Sequence, residues 1–221
     1  LYHLGALPIT CSDSSGMILD EEGIDLKNWK EKLEAGETAS LQKLTDEIIS
    51  RNLRNSVFVD ITANDKVAGV YGLLLQKSIS VVACNKVAAS SAYSNYKKLK
   101  DLAREFNSQF LFETNVGAGL PIIATLNDLV HSGDRVHKIQ AVLSGTLNFV
   151  FNNYDGSRKF AEVVKQAQEE GYTEPDPRLD LGGTDVMRKI MILAREAGQE
   201  IEMDDIVNNS FMPASCMQGS V

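Results

Sequence analysis

Short apolar runs and longer amphipathic stretches alternate along the first half of the chain. The runs of strand length are residues 57–61, 79–83 and 110–112. The stretches with helical periodicity are residues 24–50, which break near Gly36, and residues 65–76 and 91–106. Short buried strands separated by helices are typical of a parallel, doubly wound sheet. The pattern therefore predicts an α/β fold.

The pattern changes after residue 113. Helical patterns follow at residues 119–131, 144–151, 160–170 and 184–197, and one longer strand pattern covers residues 136–143. We place a domain boundary between residues 112 and 113 on this change. The first part, residues 1–112, is predicted to be an incomplete Rossmann-like parallel sheet. The second part, residues 113–221, is predicted to be an α+β domain.

In parallel sheets, ligands bind beyond the carboxyl ends of the strands. The segments that follow the three predicted strands are residues 62–64, 84–86 and 113–115. Lys86 comes directly after a buried strand, so the predicted sheet would direct it towards the ligand crevice. The alternative is an ordinary loop lysine that faces solvent.

Residues 171–189 form the segment of the chain that is richest in candidate functional side chains. Pro175 and Pro177 keep Glu174 in a non-helical loop, and a helical pattern begins at Thr184. Asp185 and Lys189 are four residues apart and so share one face of that helix. A rigid acidic loop beside this pair suits a substrate that carries an ammonium group and a reacting oxygen. The alternative is a solvated surface pair worth roughly 0.2–0.5 kcal/mol.

Composition excludes several classes of function. The 221 residues carry a formal net charge of -8 and no basic patch, which argues against nucleic-acid binding. No apolar run approaches the length of a membrane span. Cys11, Cys84 and Cys216 are scattered, which favours a reducing compartment such as the cytoplasm. The chain begins without Met and without the features of a signal peptide, so we expect it to be a piece of a longer protein.

Gly117 and Gly119 follow a strand pattern and precede a helical one. The third glycine of a dinucleotide-binding GxGxxG motif would fall on Ile122, so the signal is weak. The loop is either a tight turn or a set of carbonyls that lines a cation site. A phosphate-binding glycine loop is not found in this sequence, and neither is a Walker A lysine motif.

Four segments together resemble homoserine dehydrogenase. They are Asn85-Lys86, residues 115–121 (NVGAGLP), residues 144–148 (SGTLN) and residues 171–189, which begin GYTEPDPR. The resemblance covers roughly residues 24–212 and is greatest to the dehydrogenase part of bifunctional aspartokinase/homoserine dehydrogenase. It implies an NAD(P)-dependent oxidoreductase that interconverts L-aspartate 4-semialdehyde and L-homoserine in threonine and methionine biosynthesis. It also implies that residues 1–112 bind nucleotide and that residues 113–221 bind substrate and dimerise.

The resemblance implies a role for each matching residue. Lys86 and Lys189 would flank the reacting oxygen and handle its proton. Substrate binding is implied for Glu174, Asp185, Thr146 and Tyr172. Contact with NADP or NAD is implied for Thr62, Lys86 and Gly171. Binding of a monovalent cation, Na⁺ or K⁺, is implied for Glu113 and the backbone of Val116, Ala118 and Leu120.

Two departures from the family pattern leave alternatives open. Leu179 stands where many members have a second aspartate before Asp180, and the family's N-terminal glycine loop is absent. The chain is therefore either the substrate-binding part of an active enzyme or a non-catalytic assembly or regulatory fragment of a bifunctional one. A different oxidoreductase on the same fold is a further alternative. The resemblance implies a homodimer, in which residues 136–143 either pair with their twin or form an internal strand, and a fused aspartokinase in the parent protein.

Overall fold

The computed structural model describes residues 2–173, 176–213 and 215 of the chain. The chain divides into two compact units, and the division falls between Ser56 and Val57. Within the described ranges, no helix is both long enough and apolar enough to cross a lipid bilayer.

The first unit is a small antiparallel sheet with two helices. Its elements are β1 (Thr10–Ser12), β2 (Gly16–Leu19), α1 (Trp29–Glu34), β3 (Glu37–Thr38) and α2 (Leu41–Arg51). β2 lies between β1 and β3, with Cys11 opposite Ile18. A β-carbon on Gly16 would lie 2.4 Å from the Leu33 carbonyl oxygen, so this contact between β2 and α1 requires glycine.

This unit corrects part of the sequence prediction. The helix expected over residues 24–50 is two helices, as the break near Gly36 indicated, but the break contains β3. The antiparallel sheet was not predicted. Its register is set by the Asp13 carboxylate, which accepts hydrogen bonds from the backbone N–H groups of Ser15 (2.7 Å) and Gly16 (2.9 Å) and so closes the β1–β2 turn.

The second unit begins with the predicted parallel sheet, which the structure confirms. Its elements are β4 (Val57–Asp60), α3 (Asp65–Gly69), α4 (Tyr71–Gln76), β5 (Ser80–Ala83), α5 (Tyr93–Glu105) and β6 (Phe110–Leu111). β5 lies between β4 and β6, and all pairs are parallel. Helices α4 and α5 pack on one face, where Leu74, Leu75 and Val81 have no exposed surface.

No described helix of the second unit packs against the opposite face of this sheet. Val59, Val82 and Leu111 form one row across the three strands. Val59 and Leu111 each keep 49% of their surface exposed, and Val57 keeps 55%. Parallel sheets normally have both faces covered, so the described residues of the second unit supply cover for one face of this sheet only.

All regular elements described after β6 are helical. They are α6 (Ile122–His131), α7 (Gly145–Asn153), α8 (Phe160–Glu169), α9 (Pro177–Leu181) and α10 (Thr184–Glu196), with 3₁₀ turns at Glu113–Asn115 and Met203–Asp205. α7 and α8 bury Val150, Val163 and Ala167 between them. α9 was not predicted. Its start is favoured by Asp176, which caps the Arg178 N–H, and by Pro177 in the first turn.

The strand predicted over residues 136–143 is wrong. These residues have no regular secondary structure in the chain, and Val142 is 78% exposed. The alternation of side chains favours a strand, but a strand exists only where a neighbour accepts and donates its backbone hydrogen bonds. The described part of this chain supplies no such neighbour, so residues 136–143 form no strand and the regular elements described after residue 113 are helices.

Leu74 and Leu73 are neighbours in α4 that allow a matched test of the core. Leu74 is fully buried, whereas Leu73 is 42% exposed. We expect Leu74→Ala to lower the free energy of unfolding by about 2–5 kcal/mol, because it removes buried methyl groups and leaves a cavity. Leu73→Ala should cost less than about 1 kcal/mol. Urea denaturation of both variants would check this, and equal losses would contradict the packing described.

Candidate active site

The carboxylate of Asp185 lies between two lysines. Lys189 Nζ is 2.6 Å from one carboxylate oxygen and Lys86 Nζ is 3.3 Å from the other. Asp185 and Lys189 are one turn apart on α10, as the sequence predicted, while Lys86 reaches them from the loop after β5. Lys189 also donates a hydrogen bond to the Leu143 carbonyl oxygen at 2.8 Å. The structure therefore brings three of the predicted site residues into one cluster.

Asn85 fixes the turn that presents Lys86. It is 2% exposed. Its amide nitrogen donates to the Asp60 carboxylate and to the Asn64 carbonyl, each at 3.0 Å, and its amide oxygen accepts from the Val87 N–H at 3.0 Å. Each polar atom of the Asn85 amide therefore has a partner, and Asn85 holds the start of the turn that presents Lys86.

Asp60 is the main residue of this region that sequence reasoning missed. It ends β4, is 2% exposed, and accepts hydrogen bonds from the Tyr71 hydroxyl and from the Thr62 N–H at 2.7 Å. Burial raises the pKa of Tyr71, and the neighbouring Asp60 carboxylate raises it further. The signal that could have identified Asp60 is a carboxylate placed at the end of an apolar strand, where it is either at a ligand site or buried with partners.

Asn115 completes this polar cluster at the end of β6. It has no exposed surface, and in the amide orientation that satisfies both of its polar atoms, the nitrogen donates to the carbonyl oxygens of Ala83 (3.1 Å) and Cys84 (2.9 Å). The carboxyl ends of all three parallel strands are thus joined by buried hydrogen bonds. This is the edge at which ligands bind in open α/β sheets.

Thr146 and Tyr172, predicted to line the substrate pocket, lie together. The Thr146 hydroxyl is within hydrogen-bonding distance of the Tyr172 carbonyl oxygen and of the Asp180 carboxylate at 2.9 Å. The Tyr172 ring stacks on Phe149 with centroids 4.4 Å apart and stays half exposed. Thr146 is in the first turn of α7, three residues after Leu143, whose carbonyl binds Lys189. This turn links the two groups of site residues.

The other predicted residues occupy separate places. Gly171 takes a left-handed conformation (φ 78°) and ends α8. Thr62 is exposed just beyond β4, with its N–H held by Asp60 and its hydroxyl oxygen accepting from Asn64. Glu174 lies outside the described residues.

The predicted cation-binding loop has its carboxylate engaged. The two oxygens of Glu113 accept hydrogen bonds from the N–H groups of Ile123 and Ala124, both at 2.8 Å, so Glu113 caps the start of α6. Gly117 and Ala118 both have positive φ values of 81° and 51°. Among the described residues, no group of three His, Cys, Asp or Glu side chains could hold a metal ion. A cation here would therefore depend mainly on carbonyl oxygens, with Glu113 able to contribute a remaining lone pair.

The ionisation of Asp185 reports on the cluster. Burial raises its pKa, but the hydrogen bond from Lys189 and the charge of Lys86 outweigh burial, and the net pKa is lowered. Because the pKa of this carboxyl group is lower in the folded protein than its ordinary value near 3.9, the ionised carboxylate stabilises the fold at pH values above that ordinary value. This stabilisation is lost as the pH falls through the folded-state pKa. We expect Lys189→Met to raise the pKa of Asp185, measured by carbon NMR of its carboxyl group. Lys165→Met is the control, and an unchanged pKa in Lys189→Met would contradict the pairing.

The fold and the site together define an α/β protein of the nucleotide-binding class, with paired lysines at the carboxyl edge of its parallel sheet. Two family models match the chain: homoserine dehydrogenase, NAD binding domain, over residues 14–113, and homoserine dehydrogenase over residues 121–216. The chain belongs to the homoserine dehydrogenase family, whose members are NAD(P)-dependent oxidoreductases.

Individual relatives agree with this assignment. The chain is 46% identical over 202 residues to bifunctional aspartokinase/homoserine dehydrogenase 2 of Arabidopsis thaliana, a chloroplast protein. The aligned region covers 90% of this chain and 22% of that one. A crystal structure of a Candida auris protein of unknown function is 34% identical, with a TM-score of 0.87, over 97% of this chain and 62% of that one. A hyperthermophilic archaeal homoserine dehydrogenase in complex with NADPH is 29% identical, with a TM-score of 0.72, over 86% and 60%. The chain thus spans about a fifth of the Arabidopsis protein.

Proposed function

We propose that this chain supplies the reacting lysines of a homoserine dehydrogenase, which interconverts L-aspartate 4-semialdehyde and L-homoserine with NADP or NAD. The observation that carries the proposal is the meeting of Lys86 and Lys189 at Asp185. Family membership supports the reaction class, and the cluster supplies the chemistry that this class requires.

The cluster suits the reduction of an aldehyde. Negative charge develops on the carbonyl oxygen in the transition state, and a positioned ammonium stabilises that charge and then donates a proton. Lys86 and Lys189 are the two candidates for this role, and Asp185 holds both in place. In the direction of alcohol oxidation, the same lysines would accept the hydroxyl proton.

The carboxyl edge of the parallel sheet is where a dinucleotide would bind. Thr62 follows β4 and Lys86 follows β5, while Gly171 precedes the Tyr172 segment. The Thr62 hydroxyl oxygen accepts a hydrogen bond from Asn64, which leaves its proton free to donate to a ligand. The bound nicotinamide would supply or accept the hydride, and these residues would orient it.

The substrate would lie between the lysine cluster and α7. Thr146 and Tyr172 would line its pocket, and Asp180 would hold the Thr146 hydroxyl. Glu174 would bind the substrate ammonium, with help from Asp185. For Na⁺ or K⁺ we propose Glu113 and the carbonyls of Val116, Ala118 and Leu120. The positive φ values of Gly117 and Ala118 support that proposal, because they make the loop turn sharply between the proposed ligands.

We propose that the parent protein forms a homodimer and also carries an aspartokinase. The bifunctional relatives support this fusion. The proposed division into residues 1–112 and 113–221 is supported by two separate family-model matches, over residues 14–113 and 121–216, that meet close to it. A reducing compartment, which we propose is the cytoplasm, is supported by the free thiols of Cys11 and Cys84.

NADPH oxidation with aspartate semialdehyde tests the proposed function directly. Turnover of this substrate above that of other amino-acid aldehydes would support it, while preference for another aldehyde would favour a different oxidoreductase on the same fold. Titration of NADPH against the chain tests the alternative of a non-catalytic assembly fragment. That alternative requires no binding and no turnover, whereas saturable binding would argue against it.

A further inference from the structure

The guanidinium of Arg195, near the end of α10, is fully buried and joins three parts of the second unit. One terminal nitrogen donates to the carbonyl oxygens of Ala89 (3.1 Å) and Ser91 (2.7 Å). The other nitrogens donate to the Ile201 carbonyl at 3.1 and 2.9 Å and to the Glu202 carboxylate at 3.0 Å. Such a fork of donors in fixed geometry is specific to arginine.

Two aromatic rings hold the guanidinium from the side. Its central carbon is 5.6 Å from the ring centroid of Tyr93 and 5.4 Å from that of Tyr96. Both distances are within the range of a cation–π contact. Burial lowers the pKa of Arg195, and Glu202 and the two tyrosines act in the opposite direction. A buried charge with this many partners marks a place where the chain needs a fixed geometry.

Two of the carbonyls that Arg195 binds, those of Ala89 and Ser91, belong to the loop that presents Lys86. The Lys86 carbonyl accepts hydrogen bonds from the N–H (2.9 Å) and the hydroxyl (2.8 Å) of Ser90, which makes residues 86–90 one compact turn. Arg195 binds this turn at the end that lies away from Lys86, through the carbonyls of Ala89 and Ser91. It also lies on the same helix as Asp185 and Lys189, about 15 Å and 9 Å along the axis at 1.5 Å per residue.

We infer that Arg195 is a positioning residue that sets the distance between Lys86 and Asp185 by clamping the Lys86 loop to α10. It touches none of the reacting groups itself. The catalytic meaning of this inference rests on the proposed function, because the clamp matters for turnover only if the two lysines act together. The clamp itself can be measured without turnover.

The neighbouring Glu196 holds α10 by a separate set of contacts. Its buried carboxylate accepts hydrogen bonds from Lys100 on α5 (3.0 Å), from Asn127 on α6 (2.8 Å) and from the Tyr96 hydroxyl. These contacts are not made by Arg195. We therefore expect α10 to stay docked when Arg195 is replaced by lysine, while the Lys86 loop loosens.

Zero-length cross-linking of the full chain tests the clamp. A water-soluble carbodiimide activates the Asp185 carboxyl group, and a lysine amine in contact displaces the activating group to form an amide. The link from Asp185 to Lys189 lies within one helix and serves as the internal standard. In Arg195→Lys, the yield of the Lys86 link relative to this standard should fall at least about fivefold, because one ammonium replaces five fixed donors. Arg104→Lys, at a side chain that is 80% exposed, is the matched control.

The outcomes separate the clamp from the proposed function. An unchanged ratio in a folded Arg195→Lys variant would overturn the inference. If that variant does not fold, Glu202→Gln is used instead, because it weakens the ion pair of the same guanidinium at a half-exposed side chain. An unchanged ratio in Glu202→Gln would overturn the inference equally. A fall in the ratio supports the clamp even if the unsubstituted chain shows no turnover, in which case the proposed function alone fails. In a chain with turnover, the clamp predicts a loss in kcat with little change in KM.

Discussion

Under the proposed function, Lys189→Ala should lower kcat/KM for NADPH-linked reduction of aspartate semialdehyde by about 10²–10⁴-fold, the range that a positioned proton donor contributes. The loss is expected because Lys189 is the less exposed lysine of the cluster and is oriented by two partners, Asp185 and the Leu143 carbonyl. Steady-state kinetics of the purified variant, with NADPH absorbance as the readout, would measure it.

Lys165→Ala is the matched control for this substitution. Lys165 also pairs with an acidic residue four positions along a helix, Glu169, but both side chains are largely exposed. The same change of charge and of side-chain length should leave kcat/KM within about twofold, since exposed pairs contribute little. Equal losses in the two variants, or none in Lys189→Ala, would contradict the role assigned to Lys189.

Asp60→Ala should lower the free energy of unfolding by about 2–5 kcal/mol, because the buried Tyr71 hydroxyl and the Asn85 amide would lose an acceptor. Asp101→Ala, which removes an exposed carboxylate paired with Arg104, should cost less than about 1 kcal/mol. Urea denaturation followed by circular dichroism gives both values.

A double substitution separates the hydrogen bond from general damage at Asp60. In a Tyr71→Phe background one of the buried donors is already gone, so Asp60→Ala should cost less than it does in the original chain. Equal costs in the two backgrounds would mean that the Tyr71–Asp60 hydrogen bond contributes nothing to the stability of the sheet edge.

The parallel sheet was predictable because each of its strands is a short, nearly continuous apolar run. The antiparallel sheet was not, because its strands have two to four residues and contain glycine, serine and glutamate. Their pairing depends on the turn at Asp13 and on the close contact between Gly16 and Leu33, which no periodicity reveals. Residues 136–143 show the opposite error, since a strand-like pattern forms no strand without a neighbour.

The site divides in the same way. Asp185 and Lys189 were predictable together because helical spacing alone places them on one face. Lys86 could be placed at the strand ends, but its contact with Asp185 depends on how α10 packs. Asp60 binds residues 11 and 25 positions away, and Arg195 binds carbonyls more than 100 positions away. The partners in interactions of this range leave no local signal in the sequence, even where the charged residue itself is conspicuous at the end of an apolar strand, as Asp60 is.

The exposed apolar face of the parallel sheet should make the association of separate molecules depend on ionic strength. Apolar side chains such as Val59 and Leu111 face outward, and in the described chain β4 and β6 each pair with β5 alone, so their outer edges can accept another strand. The net charge of -8 keeps separate molecules apart in dilute buffer. At physiological salt, charges are screened beyond about 8 Å. Added salt should therefore promote association through this face, and dilute, low-salt buffer should keep the molecules dispersed.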